Sequence, residues 1–313
     1  MSVKYLEIVP GLVSLETHLP LVDFLLLTKN ITPRVVDRKY RFHYTVAKYS
    51  KYRESLYRKA LKRGNYSIDG DYTSTNNSVY YRRPLYKGVG FVFEYDYKNR
   101  IFYFNPLYRF LRVNLGDIFT LGRHLFHVIQ IDLLKAGFLV TFSASFKING
   151  SVYLILAKGR NGKTSLVNSV LKSGGEYISE NFTIWDTKTD TLYGTYPVFV
   201  NKGRGSNRDL RDVFSKRGID TCLKKSKVDA VIYLSRGLES KSSSEVLHEY
   251  FYGRNLGFLK NNFALSYIYA SYSFRDLYHQ ADRAFELLGN YRITYIQGYD
   301  QKKLLNFLLK NDK

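Results

Sequence analysis

The chain has 313 residues, 45% of them hydrophobic and 24% charged, with a formal net charge of +21. That hydrophobic content excludes wholesale disorder, and the length allows one large domain or two modest ones. The single cysteine, Cys222, excludes an internal disulfide framework and argues against a cysteine-based metal site, which suits a reducing, cytoplasmic setting. The opening Met1-Ser2-Val3-Lys4-Tyr5-Leu6-Glu7 lacks the apolar core of a signal peptide. The most apolar stretch, residues 136–146, carries Thr141, Ser143 and Ser145 and is too short to span a bilayer.

Residues 1–114 read as a smaller β-rich module with one basic helix. Tyr49, Tyr52, Leu56 and Ala60 recur at helical spacing, which predicts an amphipathic helix over 44–63 with a cationic outer face. Between Lys39 and Arg63 nine Lys and Arg residues stand against one acid, Glu54. A polar loop is expected over 65–77. Residues 90–97 and 100–104 flank Lys98-Asn99 as a hairpin. Leu115, Ile118, Phe119, Phe126, Ile129 and Leu133 predict a helix over 115–135. Residues 138–146 read as one strand, Asn149-Gly150 as a tight turn and 151–156 as the next strand. A helix over 164–172 follows, closed by Gly174-Gly175. Then come a strand at 177–179, a hairpin from 182–185 and 191–193, and a basic loop over 201–217. The rest is a strand at 228–234, mainly helix over 243–288, a strand at 291–296 and a helix over 301–309.

The motif that carries chemistry is Ala157-Lys158-Gly159-Arg160-Asn161-Gly162-Lys163-Thr164, which fits the Walker A pattern. Gly159 and Gly162 let successive N–H groups turn toward phosphate oxygens. Lys163 supplies a cation to the β- and γ-phosphates, and the Thr164 hydroxyl is a candidate Mg²⁺ ligand. An apolar strand precedes the loop and a helix containing Leu166, Val167, Val170 and Leu171 follows it. That is the setting a phosphate-binding loop requires. Gly159, Arg160, Asn161, Gly162, Lys163, Thr164 and Ser165 are the candidate nucleotide-binding residues, with ATP as the expected ligand.

Around that loop, residues 156–185 resemble the kinase domain of the HPr kinase/phosphorylase family, whose fold is similar to phosphoenolpyruvate carboxykinase. The likeness is carried by the loop, its helix, Gly174 and Gly175, the strand Tyr177-Ile178-Ser179 and the pair Glu180-Asn181. It extends more thinly over 115–310, through residues 140–146 with Asn149-Gly150 upstream and Gly194, Pro197 and residues 295–300 downstream. The resemblance implies an α/β protein with a PEP carboxykinase-like P-loop kinase domain over 115–313. It also implies ATP- and Mg²⁺-dependent transfer of the γ-phosphoryl to a hydroxyl of a small molecule or a protein Ser. Glu180 falls where the first acid of the family's pair lies, and so is expected to hold Mg²⁺ with Thr164 or to accept the hydroxyl proton. Glu180 and Lys163 are thus the candidate catalytic residues.

Three departures from the family pattern stand out. Asn181 replaces the second acid, Phe142 replaces a histidine of the strand before the loop, and Gly159-Arg160 replaces the loop's inner Ser-Gly. They keep open a catalytically inactive nucleotide-binding regulator or scaffold.

Asp186 is expected to open the hairpin turn, with a metal role as the lesser alternative. The strand at 228–234 ends without an acid, unlike a Walker B strand. Arg204, Arg208 and Arg211 are candidates to clamp a phosphate or an anionic acceptor, or to solvate a loop. His124 and His127 stand three apart without a carboxylate or Cys cluster, so a structural role is the default. The net charge favours anionic partners, though dispersed Lys and Arg also simply solvate a surface. A basic nucleic-acid-associated ATP-binding protein is a further alternative. It is not favoured, because packing alone produces the Tyr spacing of 44–63. An oligomer is compatible with the sequence.

Overall fold

The computed structural model describes residues 4–17, 35–36, 39–64, 67–69, 72–86, 89–105, 121–157, 162–180, 183–186, 188–195, 226–234, 245, 274–289, 291, 293–296 and 301–310. The fold is mixed α/β with several sheets. Contacts divide the chain into two compact units, Met1–Ile131 with Leu259–Asp276 and Asp132–Phe258 with Leu277–Lys313. Among the described residues no helix is long and apolar enough to cross a membrane.

The first unit holds a nine-stranded sheet. Its strands are β1 (Lys4–Val9), β2 (Val13–Thr17), β3 (Val35–Val36), β4 (Phe42–Lys48), β5 (Ser67–Asp69), β6 (Tyr72–Ser74), β7 (Ser78–Tyr86), β8 (Val89–Asp96) and β9 (Ile101–Phe104). They lie in the order β3-β1-β2-β4-β9-β8-β7-β6-β5, with β4 parallel to both β2 and β9. The core is aromatic: Tyr95 stacks on Phe102 at 4.4 Å between centroids and Phe93 on Phe104 at 5.1 Å. The hairpin expected around Lys98-Asn99 is present as β8 and β9.

Two expectations fail in this unit. Residues 44–48 belong to strand β4, where Phe42, Tyr44 and Val46 are buried at every second position. The helix begins only after Ser50, whose hydroxyl caps it by accepting from Arg53 N–H at 3.2 Å. It is α1 (Lys51–Lys62). Residues within 65–77, expected as a polar loop, include the strands β5 and β6, which pair antiparallel and extend the sheet from β7. Polar side chains suit an edge hairpin, so composition alone concealed it.

The face that α1 buries also differs. Tyr57 is the buried helical residue and packs with Tyr49 and Tyr80 against Leu61, Val92 and Tyr103. Tyr52, predicted on the packed face, is 69% exposed. Charge fixes the register of the helix on the sheet. Arg53 pairs with the fully buried Glu94, donating from Nε at 3.0 Å, and with Asp96 at 3.2 Å. Arg82 on β7 pairs with Glu54 and lies 3.9 Å from the Tyr57 ring centroid.

The second unit holds two sheets. One comprises β10 (Phe138–Thr141), β14 (Thr183–Asp186), β15 (Thr191–Tyr193) and β16 (Ser226–Lys227) in that order. The other has the order β13-β11-β12-β17-β18, from β11 (Ser143–Ile148), β12 (Ser151–Ala157), β13 (Glu176–Ser179), β17 (Ala230–Leu234) and β18 (Ile293–Ile296). The single strand expected over 138–146 is therefore two strands in different sheets, broken at Phe142. β11 and β12 turn through Asn149 and Gly150, both at positive φ (50° and 79°), as a tight hairpin turn requires.

The described helices beyond α1 are α2 (Leu121–Lys135), α3 (Lys163–Lys172), α4 (Phe274–Gly289) and α5 (Gln301–Lys310). Residues 115–120 and 243–273, apart from the helical Glu245, lie outside the described residues, as does the basic loop 201–217 with Arg204, Arg208 and Arg211. The two glycines close α3 as expected. Gly174 N–H donates to Leu171 O at 3.2 Å and Gly175 N–H to Val170 O at 2.9 Å, with Gly174 at φ 94°. This double bond pattern is a Schellman motif.

Candidate functional site

Strand polarity builds the site. β17 runs parallel to β12, and β18 parallel to β17. β11 is antiparallel to both β12 and β13, so β13 runs in the same direction as β12. The carboxyl ends of β12, β13, β17 and β18 therefore share one edge of the sheet. In open α/β sheets ligands bind outside that edge. Ala157 ends β12, Glu180 follows β13, and Phe142 precedes β11 at the same edge.

Gly162 begins α3 in the left-handed conformation (φ 82°, ψ 10°), which a residue with a Cβ adopts only under strain. Leu166 N–H donates to Gly162 O at 2.9 Å, closing the first turn. Glycine brings no capping side chain, so no N-cap side chain satisfies the first N–H groups at the positive end of α3. Gly159, Arg160 and Asn161, the interior of the predicted phosphate loop, lie outside the described residues. So does Asn181.

Lys163 is buried and held from two sides. Its Nζ donates to Ala157 O at 2.7 Å and lies 4.4 Å from the centroid of the Phe142 ring. A carbonyl dipole and an aromatic face both favour a cation. Glu180 is 3% exposed. Burial pushes its carboxyl up, while the hydrogen bond from the Thr164 hydroxyl and the nearby Lys163 ammonium pull it back, leaving it at about 6. Its Oε2 is buried without a hydrogen-bond partner. Such an atom ordinarily has a partner or awaits one. Thr164 and Ser165, in the first turn of α3, are half-buried. Four of the predicted site residues, Gly162, Lys163, Thr164 and Glu180, thus stand together at one sheet edge.

Sequence reasoning missed the scaffold around them. Ser179 Oγ lies 2.6 Å from Ser145 Oγ and 2.5 Å from Thr183 Oγ1, and Thr141 Oγ1 lies 2.7 Å from Ser143 Oγ. All five hydroxyls belong to residues that are almost fully buried. They tie the segments that flank Phe142 and Glu180 to each other. The signal was the run of Thr and Ser inside the apolar stretch 136–146: hydroxyls on a buried strand need partners.

Asp186 opens the β14–β15 turn, as expected, by accepting from Lys188 N–H at 3.0 Å. Asp229, just before β17, accepts from Val152 N–H at 2.7 Å and so serves β12 structurally. Among the described residues no group of three or more His, Cys, Asp and Glu is placed to hold a metal ion. His124 and His127 lie on α2.

No protein-family model and no curated protein matches the chain. Among solved structures it is similar to the Hpr(Ser) kinase/phosphatase from Coxiella burnetii, at 16% sequence identity and a TM-score of 0.27. The match covers 34% of this chain and 71% of that one.

Proposed function

We propose that this chain binds ATP with Mg²⁺ on the loop 157–164 and transfers the γ-phosphoryl group to a hydroxyl of a small molecule or a protein Ser. The observation that carries the reading is the pair of buried charges Lys163 and Glu180, joined by the half-buried Thr164, beside the left-handed Gly162 at the carboxyl end of β12. A buried ammonium and a helix N-terminus suit a polyphosphate. The unpartnered Glu180 Oε2 next to the Thr164 hydroxyl suits a hard cation with oxygen ligands.

In this reading Thr164 and Glu180 would hold Mg²⁺, which would supply charge neutralisation to the triphosphate. Lys163 leaves the Ala157 carbonyl for the phosphate oxygens. Backbone N–H groups of Asn161 and Gly162 stabilise the developing charge. The acceptor oxygen forms a bond to the γ-phosphorus as the bridging bond to the β-phosphate breaks, and ADP leaves. The acceptor's proton goes to the Glu180 carboxylate or to a water it holds. The module at 1–114 would select the acceptor, and the domain at 115–313 would carry the PEP carboxykinase-like P-loop kinase fold.

Incubation of the full chain with γ-labelled ATP and cell extract tests this. A labelled metabolite or protein, lost in Glu180→Gln while nucleotide binding persists, is the expected result. A second reading, nucleotide binding without transfer, is favoured by one observation. Where the resemblance expects a histidine, Phe142 presents an apolar ring to Lys163. Binding of ATP with no labelled product from any extract would support that reading instead.

A further inference from the structure

The outer face of α1 is built differently from a solvated helix surface. At about 100° per residue, Lys51, Tyr52, Lys59, Lys62 and Arg63 fall within roughly a third of the helical circumference. All five are exposed, Tyr52 at 69%. The opposite arc carries Arg53, Glu54, Tyr57 and Leu61, which engage the sheet. Among the described residues no acid offsets the four cations. Glu54, the one acid of the helix, is taken by Arg58 at 2.9 Å and by Arg82.

We propose that this face binds single-stranded nucleic acid, with phosphates on Lys51, Lys59, Lys62 and Arg63 and an unpaired base stacked on Tyr52. Charge complementarity selects a polyanion, and the chain's net charge of +21 strengthens the attraction. An anionic membrane is the poorer fit. An amphipathic helix binds lipid through its apolar stripe, and here Tyr57 and Leu61 are packed against Tyr80, Val92 and Tyr103. A single strand fits better than a duplex, because an aromatic ring amid cations offers a platform that only an unpaired base can use. From Lys51 to Arg63 the helix rises about 18 Å, enough to follow several nucleotides. This surface does not depend on the phosphate loop.

The test is fluorescence anisotropy of the full chain with labelled dT and rU oligomers of about 20 nucleotides, which is ample for such a site. A duplex of the same length and phosphatidylserine vesicles are the comparison arms. Four phosphate contacts predict a slope of log affinity against log salt near −3. The double variant K59E/K62E should bind at least tenfold more weakly and flatten that slope. Tyr52→Ala should weaken single-strand binding about five- to a hundredfold, leave the slope unchanged and barely affect the duplex, while Tyr52→Phe retains affinity. Stronger binding to dT than rU, or the reverse, assigns the strand as DNA or RNA. The proposal is overturned if neither oligomer binds, if these variants bind like the wild type, or if the duplex or the vesicles bind as tightly as the single strands.

Discussion

Lys163 Nζ stands 4.4 Å from the centroid of the Phe142 ring while donating to the Ala157 carbonyl at 2.7 Å. One side chain therefore joins the end of β12, the start of α3 and the residue at which the 138–148 segment changes sheets. The Ala157 carbonyl and the Phe142 ring both hold the ammonium, and the Glu180 carboxyl lies near enough to feel its charge. Lys163→Ala should weaken nucleotide binding at least tenfold, the equivalent of about 1.4 kcal/mol or more. Phe142→Leu should weaken it several-fold, because a cation–π contact contributes about 0.5–2 kcal/mol. Titration calorimetry of both variants checks this, and Phe142→Tyr should restore the wild-type value.

Glu180 links the site to pH. Its carboxyl is raised to about 6 from the ordinary carboxylate value of 4.5. Between those values the folded chain holds a proton that the unfolded chain has released, so stability falls as pH rises through that window. A shift of that size corresponds to about 2 kcal/mol. Glu180→Gln should therefore be more stable than the wild type at pH 7 by up to about 2 kcal/mol, and the gap should close by about pH 4.5. Urea denaturation at the two pH values measures it. Binding of Mg²⁺ needs the ionised carboxylate, so it should weaken as pH falls through about 6.

Gly175 has no room for a side chain. A Cβ there would lie 2.4 Å from Val170 Cγ1 and 2.9 Å from the Lys147 carbonyl oxygen. Gly175→Ala should destabilise the second unit by about 1–3 kcal/mol through overpacking. Gly174→Ala meets no atom within 4 Å but must adopt φ 94°, which costs about 1 kcal/mol. Thermal or denaturant unfolding followed by Trp185 fluorescence separates the two mechanisms by size.

In the first unit, Arg53→Met would leave Glu94 buried without its principal cation. Burial already raises the Glu94 carboxyl, and Arg53 opposes that rise. Removing one partner of a buried pair costs about 3–5 kcal/mol at neutral pH. The loss should shrink at pH 5, where Glu94 can take a proton, and the double variant R53M/E94Q should recover much of it. Denaturant midpoints at both pH values give the answer.

The parts legible in the sequence were those set by local chemistry. Asn149-Gly150 and Gly174 announced their turns through the left-handed conformations they take, the turn after Lys98-Asn99 takes its own at Arg100, and the strand before Lys163 and the helix after it followed from a continuous apolar run and one motif. What escaped depended on distant partners. Residues 44–48 were read into the helix, and pairing of β4 with β2 and β9 decided for the strand. Tyr52 seemed packed until Arg53–Glu94 and Arg82–Glu54, pairs at least 28 residues apart, rotated the helix. The break at Phe142 arises because Thr141 bonds toward β14 while Ser143 opens β11.

Calorimetric titration of the full chain with a non-hydrolysable ATP analogue and Mg²⁺, run beside Lys163→Ala, bears most directly on the phosphate cradle. Saturable binding of one analogue per chain, lost in the variant and weakened without Mg²⁺, is the predicted result. No heat from the wild type, or equal binding by the variant, would contradict it.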